Sequence, residues 1–134
     1  MKKFILILFL FAGTLVRAHA QDGERIEAIK IAFLTKKLDL SPEEAQRFWP
    51  IYNRYNDEIR GIKLEQKQKG LTELEVEDKI LGVRKKYNGE FGKAISAEKI
   101  NTFFRSEKEF GAAIKREMQE RRMERQLERK GLRN

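Results

Sequence analysis

The sequence predicts an all-α protein of four helices. Apolar residues recur at spacings of three and four, and no strand-like alternation appears. Two helix-start signals of the form Ser/Thr-x-x-Glu begin at Ser41 and Thr72. The start at Ser41 has a second, looser copy at Ser96, which predicts two related helical hairpins with long, amphipathic helices.

The first 20 residues have the pattern of a secretory signal peptide. Two lysines precede the apolar run Phe4 to Ala12, and Ala18-His19-Ala20 predicts cleavage after Ala20. The alternative is an uncleaved anchor, but this run is shorter than the ~20 residues that span a bilayer. We therefore expect a periplasmic protein with no stable membrane anchor after cleavage.

Residues 21–134 amount to a single domain of 114 residues. Cleavage would leave 26 cations against 21 acids, a net charge of +5 in place of the +8 of the whole chain. Export argues against a nucleic-acid partner despite this charge, since the neighbours are envelope molecules. The chain has no cysteine, so its stability must come from packing, alone or with a second copy.

The first helix is predicted from Glu24 to about Lys37. The second begins after Ser41, with Pro42 in its first turn, and ends at Lys69 before Gly70. Pro50 in its interior predicts a bend near Arg47 or a short break before Ile51. Its apolar stripe is Ala45, Phe48, Trp49, Tyr52, Tyr55, Ile59 and Ile62.

The third helix is predicted to start after Thr72 and to extend its apolar stripe from Leu74 to Ile95. Glycines at 82, 89 and 92 leave two possibilities: close approach of another helix, or fraying around Gly89.

The fourth helix follows Ser96, and an offset of 55 residues aligns it with the second, so that Phe48 corresponds to Phe103 and Trp49 to Phe104. Residues 119–134 are a charged tail, predicted as an extended or fraying surface helix. The alternative is a binding arm for an acidic partner.

Reactive residue types are scarce. The one histidine, His19, lies in the predicted signal peptide, and there is no cysteine. A transition-metal site and the Ser/His/Asp or Cys/His nucleophile systems therefore lack their usual residues. We expect no enzyme activity, no metal and no cofactor.

The stretch Leu40-Ser41-Pro42-Glu43-Glu44 resembles the Leu-Thr-x-x-Gln motif of the Spy/CpxP family of periplasmic proteins. Residues 95–99 resemble its second copy, and residues 48–52 (Phe-Trp-Pro-Ile-Tyr) are similar to a branch described as sensors of extracytoplasmic-function sigma factors. The sequence departs from the motif at Ser41 (Thr), Glu44 (Gln) and Lys99 (Gln). The residues that carry the resemblance are Leu40, Ser41, Pro42, Glu44, Phe48, Trp49, Pro50, Tyr52, Ile95, Ser96, Glu98, Phe103 and Phe104.

The resemblance implies a cradle-like antiparallel homodimer with a basic, partly apolar concave face. Family members include chaperones that need no ATP, inhibitors of envelope-stress sensor kinases, and metal-responsive regulators. The absence of histidine from residues 21–134 argues against metal sensing here.

Three hypotheses follow for the function. The first is a chaperone or stress-response adaptor that binds unfolded or regulatory envelope proteins, the second a dedicated regulator of a sigma-factor or sensor-kinase system, and the third a structural dimer. The aromatic residues Phe48, Trp49, Phe103 and Phe104 are expected in the core, with a contact surface as the alternative. The candidate binding face, for which a plain solvated surface is the alternative, consists of Arg47, Arg54, Arg60 and Lys63.

Overall fold

The computed structural model describes residues 23–131, which form four α-helices and contain no strand, so the predicted all-α class is confirmed. The helices are α1 (23–38), α2 (Pro42–Lys69), α3 (Glu73–Phe91) and α4 (Ala97–Arg129). The predicted signal peptide lies outside the described residues. The chain divides after Lys37 into two units.

Residues 23–37 make up the described part of the first unit. They are helical throughout, as the spacing of their apolar residues predicts. Within this stretch Leu34 is fully buried, whereas Ile29 remains 50% exposed.

The ends of α2 follow the signals in the sequence. The Ser41 hydroxyl accepts a hydrogen bond from the Glu44 amide at 3.2 Å, and the Glu44 carboxylate accepts one from the Ser41 amide at 3.1 Å. Gly70 ends the helix in the left-handed conformation, φ 68°, which costs a glycine little. Both boundaries of α2 were predictable because their stabilising contacts are local.

Pro50 does not interrupt α2, so the predicted short break is absent. Pro50 and Gln46, whose carbonyl loses its usual donor, are both exposed, so water can satisfy that carbonyl. Buried side chains on either side, Phe48 and Ile51, hold both halves of the helix against the core.

The third helix ends at Phe91, earlier than the apolar pattern predicts. It is continuous through Gly82 and Gly89, and an added Cβ at either position would meet nothing within 4 Å. At Gly82 and Gly89 neither a close helix approach nor fraying is therefore observed, and a Cβ at Gly92 would meet only the backbone of Asn88 and Gly89. Ile95 belongs to the following turn, where its amide donates to the Phe91 carbonyl at 2.9 Å and its side chain is buried.

The predicted stripe of α3 is also wrong in part. Leu74 is 76% exposed and Leu81 is 48% exposed. Only the C-terminal end of the helix contributes buried apolar side chains, Tyr87 and Phe91.

The helix α3 runs antiparallel to α2. Phe48 and Phe91 lie 5.3 Å apart between ring centroids near one end, and the Glu65 carboxylate meets Lys79 at 3.1 Å near the other. The start of α4 completes the core with Phe103, whose ring centroid is 4.8 Å from that of Phe91. We refer to the six buried rings as the aromatic cluster: Phe48, Tyr52, Tyr55, Tyr87, Phe91 and Phe103.

The variant Phe103→Ala is expected to lower the free energy of unfolding by about 3–5 kcal/mol, because it opens a cavity among tightly packed rings. Leu74→Ala is the control, since this exposed side chain should change stability by no more than about 0.5 kcal/mol. Urea unfolding followed by circular dichroism measures both. Equal effects of the two variants would contradict the placement of the core.

Candidate protein-binding surface

The two motif copies lie against each other in the structure. The Lys99 ammonium is 2.9 Å from the Glu44 carboxylate, and the rings of Phe48 and Phe103 meet edge to face with centroids 5.4 Å apart. Each pair is separated by 55 positions, the offset that aligns the two motifs. The alignment made from sequence therefore matches a register in space between α2 and α4.

Glu44 and Lys99 are the two positions at which the resemblance would place glutamine. Here they form an ion pair, and the Glu44 carboxylate also accepts the Ser41 amide. The Lys99 ammonium, followed by the Ser41 amide, lowers the pKa of Glu44. Lys99 also donates a hydrogen bond at 2.8 Å to the backbone carbonyl of Asp39. Asp39 has a positive φ. The Glu44–Lys99 pair and the Lys99–Asp39 hydrogen bond therefore tie the turn before α2 to the start of α4.

The other motif residues cap a helix, lie in the core or are exposed to solvent. Ser96 caps α4 by accepting the Lys99 amide at 3.2 Å. Tyr52 and Ile95 are buried and Leu40 is partly buried. The exposed motif residues are Pro42, Pro50, Ser96 and Glu98.

The aromatic pairs of the motifs differ in burial. Phe48 and Phe103 are fully buried, as expected. Trp49 and Phe104 are partly exposed and lie at the edge of the aromatic cluster, so the core expectation holds only in part for them. Trp49 packs edge-on against Tyr52 with centroids 5.3 Å apart, which fixes the indole while leaving part of it accessible to solvent.

The four candidate cations are all exposed, but they do not form one face. At about 100° of rotation per residue, Arg47 and Arg54 lie on one side of α2, and Arg60 and Lys63 lie on the other. The buried stripe of α2 runs between the two pairs. The candidate face predicted from sequence is therefore two separate basic edges.

Trp49 shares a side with only one of these pairs. Arg60 and Lys63 follow it by eleven and fourteen residues, which returns to within about 40° of the same direction on a helix. Arg47 is two residues before Trp49 and points away from it. We call the surface formed by Trp49, Arg60 and Lys63 the Trp49 face.

A polar contact that the sequence did not indicate joins α2, α3 and α4. The buried Tyr55 of α2 donates its hydroxyl to the Glu107 carboxylate of α4 at 2.5 Å. Burial, followed by the Glu107 charge, raises the pKa of Tyr55, and the Arg84 guanidinium of α3 beside the hydroxyl opposes that rise. The Arg84 Nε is buried without a hydrogen-bond partner among the described residues. No local pattern could reveal this contact, because its members are far apart in sequence.

Carboxylates of α2 also bind α3. The Glu58 carboxylate accepts from Lys86 at 2.6 Å and from the Tyr87 hydroxyl at 2.7 Å, and these two groups, Lys86 first, lower its pKa. Glu65 bridges Lys69 and Lys79, which lower its pKa in the same way. These contacts fix the register of α3 against α2.

Over residues 23–131 we find no cluster of three or more potential metal-ligating side chains. No helix in the same range combines the length and apolar character needed to cross a bilayer. No protein-family model matches the chain, and neither a curated protein nor a solved structure has significant similarity to it.

Tyr55→Phe is expected to lower the free energy of unfolding by about 1–3 kcal/mol, because a buried hydrogen bond to a charged group is lost. Tyr87→Phe is the matched control, and a smaller loss is expected because the Tyr87 hydroxyl shares the Glu58 carboxylate with the exposed ammonium of Lys86. Urea unfolding of both variants measures the difference. A larger loss for Tyr87→Phe would contradict the central role given to Tyr55.

Stability is also expected to fall in acid. The lowered pKa values of Glu58 and Glu65 mean that their contribution is present above the ordinary carboxyl pKa of 4.5 and is lost as pH falls below it. The double variant Glu58→Gln/Glu65→Gln should therefore show a shallower decrease between pH 5 and pH 3 (approximate limits) than the parent. Glu77→Gln, at an exposed position of α3, is the control, and a slope unchanged in the double variant would contradict this assignment.

Proposed function

We propose that this protein is a non-enzymatic binding protein of the periplasm that acts as an ATP-independent chaperone or envelope-stress adaptor. In this proposal it binds unfolded or partner proteins through a basic, partly apolar helical surface. The observation that carries the proposal is the Trp49 face, where a partly exposed indole shares one side of α2 with Arg60 and Lys63.

The chemistry of this face suits unfolded polypeptide. An indole offers a large apolar contact area at little entropic cost, and its packing against Tyr52 at 5.3 Å holds it in place. Arg60 and Lys63 lie about 16 and 21 Å further along the same side of α2 and attract acidic segments of a long chain before contact. Such a surface can bind many sequences weakly, since it uses no deep pocket shaped for one ligand.

Membership of the Spy/CpxP family, two related hairpins and an antiparallel homodimer are part of this proposal. Its support is the spatial register of the two motif copies, with Glu44 on Lys99 and Phe48 on Phe103. A cradle-like dimer would place two copies of the Trp49 face on one assembly, and linked sites bind a long chain more tightly than one site does. Sedimentation equilibrium tests the dimer directly.

A dedicated regulator of one envelope protein, such as an anti-sigma factor or sensor domain, is the second candidate. The observation that favours it is the long exposed part of α4 beyond Ile114, which carries regularly spaced charges. A helix with charges at fixed positions can match one folded partner of complementary charge, whereas it matches varied unfolded polypeptides less well.

The test is suppression of aggregation. Chemically reduced insulin and heat-denatured citrate synthase, two unrelated proteins, are followed by light scattering without nucleotide. We expect suppression at near-stoichiometric ratio, and a marked loss of it in Arg60→Glu/Lys63→Glu because the basic part of the Trp49 face is reversed. Arg47→Glu/Arg54→Glu changes the charge of α2 equally on its other side, and it should retain most of the activity.

Failure to protect either protein would overturn the chaperone proposal and favour the regulator. Equal loss in the two double variants would show that net charge, and not the Trp49 face, is responsible. Circular dichroism of each variant checks that the helices are retained.

A further inference from the structure

The C-terminal half of α4 is a free-standing helix. Every described residue from 115 to 131 is exposed, and α4 remains helical to Arg129. The residues 115–129 extend for ~21 Å at 1.5 Å per residue. The described part of the predicted charged tail is therefore an ordered rod with solvent on all sides.

Charges of opposite sign lie on different sides of this rod. At about 100° per residue, Lys115, Met118, Arg122, Arg125 and Arg129 fall within an arc of about 80°. We call this set the basic stripe. By the same geometry the four acids occupy a separate arc of about 80°. This acidic stripe is Glu117, Glu120, Glu124 and Glu128.

The spacing within the basic stripe is informative. Its members follow one another by three, four, three and four residues, the spacing at which one helix faces another along a shared seam. Cations occupy four of these five positions, which in a coiled coil would be apolar. A facing helix would have to present acidic side chains at the matching positions.

The cations are available for such contacts. None of the hydrogen bonds and ion pairs found among residues 23–131 involves the side chain of Arg122 or Arg129. Arg121, next to the stripe, pairs with Glu117 at 2.8 Å, and Arg125 donates to the Arg121 carbonyl at 3.2 Å. These contacts lie between the two stripes. They leave the side chains of Arg122 and Arg129 exposed to solvent.

A lipid surface and a second copy of this chain fit the basic stripe less well than an acidic helix does. A helix that lies on a lipid surface buries a broad apolar face, whereas the basic stripe contains one apolar side chain, Met118. A second copy would meet repulsion if the same stripe faced itself. The acidic stripe of a second copy is also less available than the carboxylates of another protein, because Glu117 already pairs with Arg121 at 2.8 Å. Charge complementarity therefore favours a different protein.

We propose that the basic stripe of α4 is a docking site for an acidic amphipathic helix of a partner protein. The partner helix carries Glu or Asp at spacings of three and four over about four turns, the length of the stripe. This site is separate from the Trp49 face and does not depend on chaperone activity.

The probe is a synthetic helical peptide of about 20 residues with five facing positions at spacings of three, four, three and four, of which four are glutamate and the one opposite Met118 is leucine. A second peptide of identical composition distributes the glutamates around the helix. Isothermal titration calorimetry with the whole protein at low ionic strength should show tighter binding of the first peptide, and added salt should weaken it.

Two double variants with the same change in net charge distinguish an effect of the basic stripe from an effect of net charge alone. Arg122→Glu/Arg129→Glu should weaken binding of the aligned peptide by about tenfold or more, because two close charge pairs become repulsive. Arg116→Glu/Lys130→Glu lies off the stripe, on another side of α4 and at its C-cap, and should weaken binding by less than about threefold. All four positions are exposed, so both variants should keep the parent helicity in circular dichroism.

Four results would overturn the proposal: no binding of the aligned peptide, equal binding of the two peptides, equal weakening in the two variants, or binding to phosphatidylglycerol vesicles in place of peptide. Dissociation of an oligomer in Arg122→Glu/Arg129→Glu, seen by sedimentation, would identify a second copy as the occupant and would also overturn it. Aggregation suppression by this variant should equal that of the parent, so failure of this proposal is distinguishable from failure of the chaperone proposal.

Discussion

Contact between aromatic rings from α2, α3 and α4 is the constraint on which the second unit depends. Phe103 lies at its centre, with ring centroids 4.8 Å from Phe91 and 5.4 Å from Phe48. A domain of this size without disulfides has few other large side chains to bury, so these rings supply much of its apolar burial. These ring contacts, several of which are edge to face, also restrict how each helix can rotate, because a turned helix would lose several of them at once.

The polar contacts depend on that packing. Once Phe48 and Phe103 are in contact, Glu44 and Lys99 lie one turn before them on each helix and come within 2.9 Å. The Tyr55 ring packs against Phe103 at 5.6 Å, and its hydroxyl thereby reaches Glu107 at the edge of the core. A partly exposed ion pair such as Glu44–Lys99 contributes little free energy, typically below about 1 kcal/mol. The role of these polar contacts is to select one register among those that the rings alone would allow.

The same packing separates two surfaces with different properties. The Trp49 face combines an indole with two cations, which suits weak binding of varied unfolded segments. The basic stripe has charge in a fixed repeat and almost no apolar side chain, which suits a partner of defined shape. If both proposals hold, one chain can receive an unfolded protein on α2 and a signalling partner on α4, and competition or coupling between the two becomes measurable.

The sequence by itself determined the helices and most of their ends. The capping residues Ser41, Thr72 and Ser96 and the terminal Gly70 act on backbone groups within one turn, so their effect is readable locally. An offset of 55 residues aligned the two motifs, but tertiary structure decided that Phe48 contacts Phe103. Tertiary structure alone decided that Trp49 remains partly exposed, that Leu74 and Leu81 do not reach the core, and that the four candidate cations divide between two sides of α2. The physical reason is that burial and side-chain partners depend on which helix faces which, and residues as distant in sequence as Tyr55 and Glu107 carry no local mark of their contact.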